Sequence, residues 1–409
     1  MNGRLLVSID IDGDSVPAGT AFIERSRNST NTTFRYDDEY LARPTSYALD
    51  PALSMFEGPQ SMDGLPGAFQ DCSPDRWGRN LIGKRIRSQT ALEGRHAPSI
   101  GEVDYLVGVG DVTRQGALRF RVSVASPYLD PDPNVPKLIA LPKLLRASEI
   151  VARDEGDDMA AIKALLDAGT GSLGGARPKA SVRSDEGLLI AKFPHHNDRW
   201  DVMGWEKTVL DLAERAGIPA PWRDLVHVGD KRALLLRRFD RTGTSRIGYM
   251  SAMTLIGGSD GGDYDYVDIA EFLPEHGAAV NEDLAQLWRR VVFSIAVHNT
   301  DDHMRNHGFL RHGAGWRLSP IFDVNPNPNL GETRATSIAG AESAEEVDGV
   351  MALATDCGLS AKQARQIIGD VLEATAAWRD AATRNGIAES SQARFSDAFE
   401  ARRADLSNT

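Results

Sequence analysis

The amino-acid sequence predicts an α+β fold with a β-rich N-terminal subdomain, a mixed middle part and a mostly helical C-terminal lobe. Short apolar runs separated by turn residues lie near the N-terminus. Helical and β-like patterns alternate after a Pro-rich stretch at 127–136, and helix-period apolar patterns dominate beyond Arg241. The chain has 409 residues, which exceeds one ordinary domain. We therefore expect three parts, at residues 1–125, 126–240 and 241–409.

Composition narrows the class of protein further. Lys and Arg number 46 and Asp and Glu number 58, which gives a formal net charge of −12. An acidic chain of this kind is not expected to bind bulk nucleic acid or an anionic membrane directly. Its apolar runs are too short to span a bilayer, and its two cysteines, Cys72 and Cys357, cannot form a disulfide framework. We expect a globular protein of the reducing cytoplasm.

The N-terminal part is predicted to contain strands and one prominent helix. The runs Leu5–Ile9 and Ala21–Glu24 are β-like. A helix is expected to begin at Ser73, a good N-cap residue followed by Pro74, and to end near Ile86. We expect its core-facing side chains to be Trp77, Leu81 and Ile82, and its solvent-facing side chains to be Arg79, Lys84 and Arg85.

The remaining elements follow from apolar periodicity and from turn residues. The helix expected at 201–216 has apolar residues at steps of three and four, so one face should be buried. The helix expected at 283–297 is apolar on most sides, which indicates a core position. The other expected elements are strands at 179–183, 188–193, 225–228, 233–236, 308–311 and 316–318, and helices at 147–166, 360–377 and 388–404.

The densest polar cluster of the sequence, residues 298–308, directly follows the apolar helix. The spacing from Asp301 to Asn306 is that of a phosphotransfer catalytic loop, in which Asp accepts a hydroxyl proton and Asn holds a metal ion. The hairpin expected next should return the chain and bring Asp323 near Asn306. A carboxylate and an amide oxygen suit Mg²⁺.

Other readings of the cluster remain open at this point. Any one of its residues could simply cap a helix, and Asp302 and His307 are expected to be structural. A metal-dependent hydrolase could instead use the cluster as metal ligands, through His298, Asp301, His303 and His307.

Three further features point to a nucleotide. A Gly-rich stretch at 169–179 leads into a strand, and glycines let backbone N–H groups approach an anion closely. Lys192 lies in an apolar strand, where burial is costly without phosphates or a carboxylate such as Glu206 to pair it. Arg237, Phe239 and Asp240 follow a strand between the two lobes, where a base and ribose could bind. Taken singly, these features also fit a flexible loop, a strand-end lysine and an exposed ion-pair cluster.

The order of the features is more informative than any single one. A Gly-rich loop, a strand Lys, a helix Glu, a catalytic Asp, an Asn and a second Asp form the part list of a protein kinase. The sequence therefore predicts a bilobal protein-kinase-like fold that uses ATP and Mg²⁺.

The chain also resembles the HipA family, the kinase toxins of bacterial toxin–antitoxin modules. The motifs that carry this resemblance are the N-terminal segments 69–79 and 104–120, the phosphate loop 172–179, the interlobe motif Arg238-Phe-Asp-Arg241 and the catalytic loop 299–306. One stretch departs from many relatives: after Tyr249 the chain reads Met-Ser-Ala-Met-Thr in place of a His-Gln-Glu-Asp-like stretch. Substrate or partner preference is therefore expected to differ.

The resemblance implies a role for individual residues. Asp301 would be the catalytic base, and Asn306 and Asp323 would be the Mg²⁺ ligands. Ser172 would be an autophosphorylation site whose modification silences the enzyme. The residues implied to bind the nucleotide are Lys192, Gly174, Gly175, Ala176, Arg177, Glu206, Arg237, Phe239, Asp240 and His303.

The resemblance also implies partners. The usual partner in the family is a small helix-turn-helix antitoxin, HipB-like, so operator DNA would be contacted only indirectly through it. Some members phosphorylate aminoacyl-tRNA synthetases, which suggests a translation-related protein substrate. A nucleotide-binding pseudokinase that only sequesters a DNA-binding partner is the non-enzymatic alternative.

Overall fold

The computed structural model describes residues 3–26, 29–96, 98–129, 135–153, 159–169, 177–341 and 346–408. The chain divides into two compact units. The first unit comprises Met1–Asn197 and Val226–Met250, and the second comprises Asp198–Leu225 and Ser251–Thr409. The two parts expected before residue 241 thus fall mainly within one unit.

Most strands of the described residues belong to the first unit. In chain order they are β1 (Gly3–Ile11), β2 (Asp14–Arg25), β3 (Thr30–Tyr36), β4 (Pro59–Asp63), β5 (Leu118–Arg121), β6 (Lys179–Ser184), β7 (Gly187–Lys192), β8 (Arg223–Val228), β9 (Lys231–Arg237), β10 (Arg241–Thr242), β11 (Ser245–Arg246), β12 (Tyr249–Ser251), β13 (Gly308–His312) and β14 (Gly315–Leu318).

The described residues form fourteen α-helices. In chain order they are α1 (Asp38–Leu41), α2 (Gly67–Asp71), α3 (Arg76–Leu92), α4 (Glu102–Val107), α5 (Leu141–Arg153), α6 (Met159–Asp167), α7 (Val202–Arg215), α8 (Ala252–Leu255), α9 (Tyr266–His276), α10 (Val280–Ala296), α11 (Glu346–Asp356), α12 (Ala361–Ala376), α13 (Trp378–Arg384) and α14 (Glu389–Ser407).

The N-terminal sheet has the strand order β4-β3-β2-β1-β5, and its neighbouring strands are antiparallel. Asp12 and Gly13 join β1 to β2 with positive φ angles of 53° and 91°. Such a two-residue turn matches the twist of the strands that it joins. Phe69 of α2 packs on the sheet, with its ring centroid 5.0 Å from that of Phe120. The β-like runs predicted in this region are confirmed as strands.

The second sheet of the first unit has the order β6-β7-β9-β8 and shares its core with α3, α5 and α6. Trp77 and Leu81 of α3 are buried in the same cluster as Leu165 and Phe193. This shared core joins helix α3 of the N-terminal part to the sheet that carries Lys192.

Helix α3 corrects two expectations. Its N-cap is Asp75, whose carboxylate accepts a 2.8 Å hydrogen bond from the Gly78 N–H, and not Ser73. Lys84 is buried, although it was expected to face solvent. Lys84 is buried because α3 packs against both α4 and α6, so that more than one face of the helix is covered.

The second unit is built around α10, whose C-terminal half is buried on all sides. Helices α9, α11, α12 and α14 pack against it. The expected helix at 201–216 is confirmed as α7, with Asp201 as its N-cap. None of the described helices combines the length and the apolar character that crossing a bilayer requires.

Candidate active site

The catalytic-loop cluster begins where the buried helix α10 ends. His298 has a positive φ of 51°, so the chain turns sharply away from the helix. Its Nδ1 lies 2.7 Å from the carbonyl oxygen of Asn327, whose own N–H donates a 2.9 Å bond to the His298 carbonyl. His298 is therefore a buried residue that fixes the start of the loop.

Asp301, Asn306 and Asp323 are brought together in the second unit. Nδ2 of Asn306 donates a 3.0 Å hydrogen bond to the Asp301 carbonyl, so its Oδ1 is the amide atom that can face a cation. The hairpin of β13 and β14 is confirmed, and the Ser319 N–H bonds the Gly308 carbonyl at its base. The chain then reaches Asp323, which is close enough to Asp301 to raise the pKa of that carboxyl.

The charges around Asp301 favour a cation. Partial burial raises the pKa of Asp301, His303 lowers it, and the carboxylates of Asp323 and Asp302 raise it. The neighbouring groups thus desolvate the carboxyl group only in part, and Asp301 as a whole residue is accessible to solvent. A divalent ion between Asp301 and Asp323 would relieve the repulsion of their carboxylates.

Asp302, the neighbour of the predicted base, has a structural role. Its Oδ2 accepts hydrogen bonds from Tyr266 (2.6 Å) and Ser294 (2.8 Å), and its Oδ1 lies 3.0 Å from Nε2 of His307. Burial would raise the pKa of Asp302, but His307, Tyr266 and Arg334 outweigh it and hold that pKa well below its usual range. These contacts fit the structural role predicted for Asp302 and His307, although the partners of the carboxylate are side chains and not the loop backbone that we expected.

A segment at 334–336 that the sequence did not predict also contacts the catalytic loop. Nη1 of Arg334 donates to the Asn299 carbonyl (2.7 Å) and to Oγ of Ser294 (2.8 Å), while its Nε pairs with the buried Glu346 at 3.0 Å. The Thr336 hydroxyl bonds the Asp302 carbonyl at 2.6 Å. No local pattern marks Arg334 in the sequence, because its partners lie far away along the chain.

The hydrolase reading is not supported. Within the described residues, no group of three or more His, Cys, Asp or Glu side chains is placed to hold a metal ion. His298 and His307 are buried and held by Asn327 and by Asp302, respectively.

The residues expected to bind the nucleotide are divided between the two units. Lys192 is buried at the end of β7 in the first unit, opposite Lys179 of β6. Glu206 is completely buried on α7 in the second unit, so its expected pairing with Lys192 stays a prediction. Arg177 is half-buried next to β6. The phosphate-loop residues that lie outside the described part of the chain are Ser172, Gly174, Gly175 and Ala176.

The interlobe motif forms an internal ion-pair network in the first unit. Asp240 is buried, and it accepts hydrogen bonds from Arg238, from Arg241 and from the Gly116 N–H. Burial alone would raise the pKa of Asp240, but the two arginines hold it well below its usual range. Both oxygens are thus engaged within the protein, and the expected contact of Asp240 with a ribose stays a prediction.

Phe239 of this motif and the preceding Arg237 are less buried. Arg237 pairs with Glu186, and the ring of Phe239 lies 6.4 Å from that of Tyr249. Both remain candidates for nucleotide contact.

Comparison with known families agrees with this geometry. A HipA N-terminal domain matches residues 11–120, and a HipA-like C-terminal domain matches residues 171–378. Among proteins of curated function, a sequence search finds no match.

One solved structure shows the same fold over nearly the whole chain, and two others match part of the chain with low TM-scores. HipA of Shewanella oneidensis MR-1, from a complex with HipB and operator DNA, is 14% identical and has a TM-score of 0.63, with 99% of this chain and 97% of that chain covered. The Helicobacter pylori proinflammatory kinase CtkA is 13% identical (TM-score 0.36; 56% and 94% covered). The Streptococcus pneumoniae choline kinase LicA is 10% identical (TM-score 0.22; 58% and 92% covered). The chain therefore belongs to the HipA family, the protein kinases that act as toxins of toxin–antitoxin systems.

Proposed function

We propose that this chain transfers the γ-phosphoryl group of ATP to a serine or threonine hydroxyl of a protein, with Mg²⁺ as its metal. The observation that carries the proposal is the grouping of Asp301, Asn306 and Asp323 around one loop. Asp301 would orient the attacking hydroxyl and accept its proton. Asn306 and Asp323 offer the oxygen ligands that Mg²⁺ prefers, and the bound ion would neutralise phosphate charge.

The nucleotide-binding role falls mainly to the first unit. Lys192 would pair with the ATP phosphates, with Glu206 as its carboxylate partner. Arg237, Phe239 and His303 are the further candidates for contact with ATP. The backbone of the Gly-rich segment would bind phosphate oxygens through Gly174, Gly175, Ala176 and Arg177.

Ser172 is the proposed site of autophosphorylation within the same segment. A phosphate there would place about two negative charges among groups suited to the ATP phosphates. We therefore expect phosphorylation of Ser172 to inactivate the enzyme.

The proposed biological role is that of a toxin whose partner is a small helix-turn-helix antitoxin. HipA of Shewanella oneidensis was crystallised with HipB and its operator DNA, and we extend that partnership to this chain. The net charge of −12 suits a basic partner, which would make the contact with DNA. The proposed substrate is a translation-related protein such as an aminoacyl-tRNA synthetase.

The test compares Asp301→Asn with Asp348→Asn, an exposed carboxylate of α11. Loss of a catalytic base should reduce phosphoryl transfer about 10²–10⁴-fold. Transfer of label from [γ-³²P]ATP is measured on the chain itself and on a total protein extract. Unchanged transfer by Asp301→Asn would refute the assignment. ATP binding by wild type, with no transfer from a preparation lacking phosphate on Ser172, would identify a pseudokinase instead.

A further inference from the structure

The Gly-rich stretch at 169–179 contains residues 170–176, called the Gly-rich segment below. The residues on both sides of this segment contact the N-terminal subdomain within the first unit. Gly169 precedes the segment and meets Thr113. Lys179 follows it and pairs with Asp75. The two contacts come from the two segments that resemble the N-terminal motifs of the family.

The contact at Gly169 leaves no room for a side chain. Gly169 has a φ of +64°, and a Cβ at this position would lie 2.3–2.6 Å from Cγ2, Oγ1 and Cβ of Thr113. Distances this short cannot be relieved by rotating one flexible side chain, since the Cβ of Thr113 is itself involved. Glycine is therefore required here by close packing as well as by backbone conformation.

The contact at Lys179 is a buried ion pair. Nζ of Lys179 lies 2.6 Å from Oδ2 of Asp75, and the two side chains are 2% and 7% exposed. The other carboxylate oxygen, Oδ1, caps α3 through the Gly78 N–H. Lys179 is also the cross-strand neighbour of Lys192, so the pair fixes the end of the sheet that carries the expected ATP lysine.

Further hydrogen bonds link the contact at Gly169 to the contact at Lys179. The buried Arg114, next to Thr113, donates to the Cys72 carbonyl at 3.1 Å, which links the Thr113 loop to the segment that starts α3. Nη1 of Arg238 donates to the Thr113 carbonyl, and Asp240 accepts from the Gly116 N–H. The Ser181 N–H bonds the Ala168 carbonyl at 2.9 Å, which ties the two flanks of the Gly-rich segment together.

We propose that the N-terminal subdomain sets the ATP affinity of this kinase, with Thr113 and Asp75 as positioning residues that hold the two flanks of the phosphate loop. Neither residue is proposed to touch ATP. The inference rests on the proposed function, because it takes the Gly-rich segment to be the phosphate loop.

The first test uses a pair of glycines that differ only in what surrounds them. Gly169 and Gly229 have φ angles of +64° and +65°, but a Cβ at Gly229 would meet nothing within 4 Å. Gly169→Ala should weaken binding of Mg²⁺ and a non-hydrolysable ATP analogue about tenfold or more. Gly229→Ala carries the same backbone strain and should leave that affinity within about twofold of wild type.

A double variant distinguishes the steric clash at Gly169 from a general loss of structure. Thr113→Gly removes the atoms that would clash, so Gly169→Ala combined with Thr113→Gly should bind the analogue more tightly than Gly169→Ala alone. Hydrogen–deuterium exchange of 177–184, measured without nucleotide, should be faster in Gly169→Ala than in Gly229→Ala. Equal affinities for the two alanine variants would overturn the inference while leaving the kinase proposal standing.

The second test addresses the ion pair. Asp75→Asn keeps an N-cap acceptor for α3 but leaves the Lys179 ammonium without its carboxylate, so analogue affinity should fall. Adding Lys179→Met removes the buried charge and should recover part of that affinity. If the double variant binds less than Asp75→Asn, Lys179 is itself a nucleotide ligand and the positioning role is wrong. Absence of analogue binding by wild type would overturn both this inference and the proposed function.

Discussion

The side-chain nitrogen of Asn306 donates a 3.0 Å hydrogen bond to the backbone carbonyl of Asp301. The bond closes the catalytic loop across the short 3₁₀ turn Met304–Asn306. It fixes the proposed metal ligand relative to the proposed base before any nucleotide arrives. Because the two residues are already in position, the free energy needed to order them does not add to the activation barrier.

Asn306→Ala should lower kcat and raise the Mg²⁺ concentration needed for half-maximal phosphoryl transfer, because both an oxygen ligand and the loop-closing bond are lost. We expect a loss of about 10–100-fold in kcat, as for other groups that orient a metal site. The control is Asn281→Ala, an exposed position of α10. A variant with normal kcat and an unchanged Mg²⁺ requirement would exclude Asn306 as a ligand.

Arg334→Ala should destabilise the second unit and lower kcat together. The substitution leaves the buried Glu346 without its partner and removes two bonds to the catalytic-loop region, at a cost of about 3–5 kcal/mol. Urea unfolding and phosphoryl transfer are the measurements. Arg365→Ala, on an exposed face of α12, is the matched control and should change neither. If Arg334→Ala has the same free energy of unfolding as wild type, other bonds hold the segment at 334–336 in place.

Asp240→Asn should reduce stability in a pH-dependent manner. Because the pKa of Asp240 is lowered in the folded state, its contribution is present above the ordinary value of 3.8 and declines as the pH falls below it. We expect a loss of about 3 kcal/mol near neutral pH. This difference from wild type should shrink by about 1.4 kcal/mol for each pH unit below the ordinary value.

Urea unfolding at about pH 6 and about pH 3 checks this prediction. The control is Asp230→Asn, an exposed carboxylate in the turn between β8 and β9. A stability difference that stays constant or grows on acidification would contradict the assigned pKa direction.

Both thiols should be unreactive in the folded protein. Cys72 and Cys357 are buried and unpaired with each other, and burial raises the pKa of each to about 12. A disulfide-exchange reagent at about pH 8 should label neither residue until denaturant is added, since the thiolate is the reactive form. Rapid labelling of one thiol in the native protein would show that its surroundings open more readily than the structure indicates.

The site elements that the sequence predicted are those fixed by local patterns. The apolar periodicity of α10, the turn residues of the β13–β14 hairpin and the spacing from Asp301 to Asn306 all lie within a few dozen residues. Their geometry depends little on distant parts of the chain. This is why the sequence alone places Asp301, Asn306 and Asp323 in one group.

What the sequence did not predict depends on distant partners. Asp240 stands among arginines that suggest an exposed turn, yet it is buried and accepts a hydrogen bond from the Gly116 N–H, 124 positions earlier. Asp75 and Lys179, 104 positions apart, also pair in the interior. A single sequence carries no signal for such pairs, because each residue by itself is also common on protein surfaces.

The ladder of the β13–β14 hairpin limits how the length of this region can vary. Its pairs run from Phe309 with Leu318 to His312 with Gly315, so residues added at the exposed tip, 313–314, leave every pair intact. One residue added inside either strand would shift the pairing and reverse the faces of the side chains beyond it. Insertions should therefore be tolerated at the tip, whereas a single insertion within a strand would carry Asp323 away from Asp301.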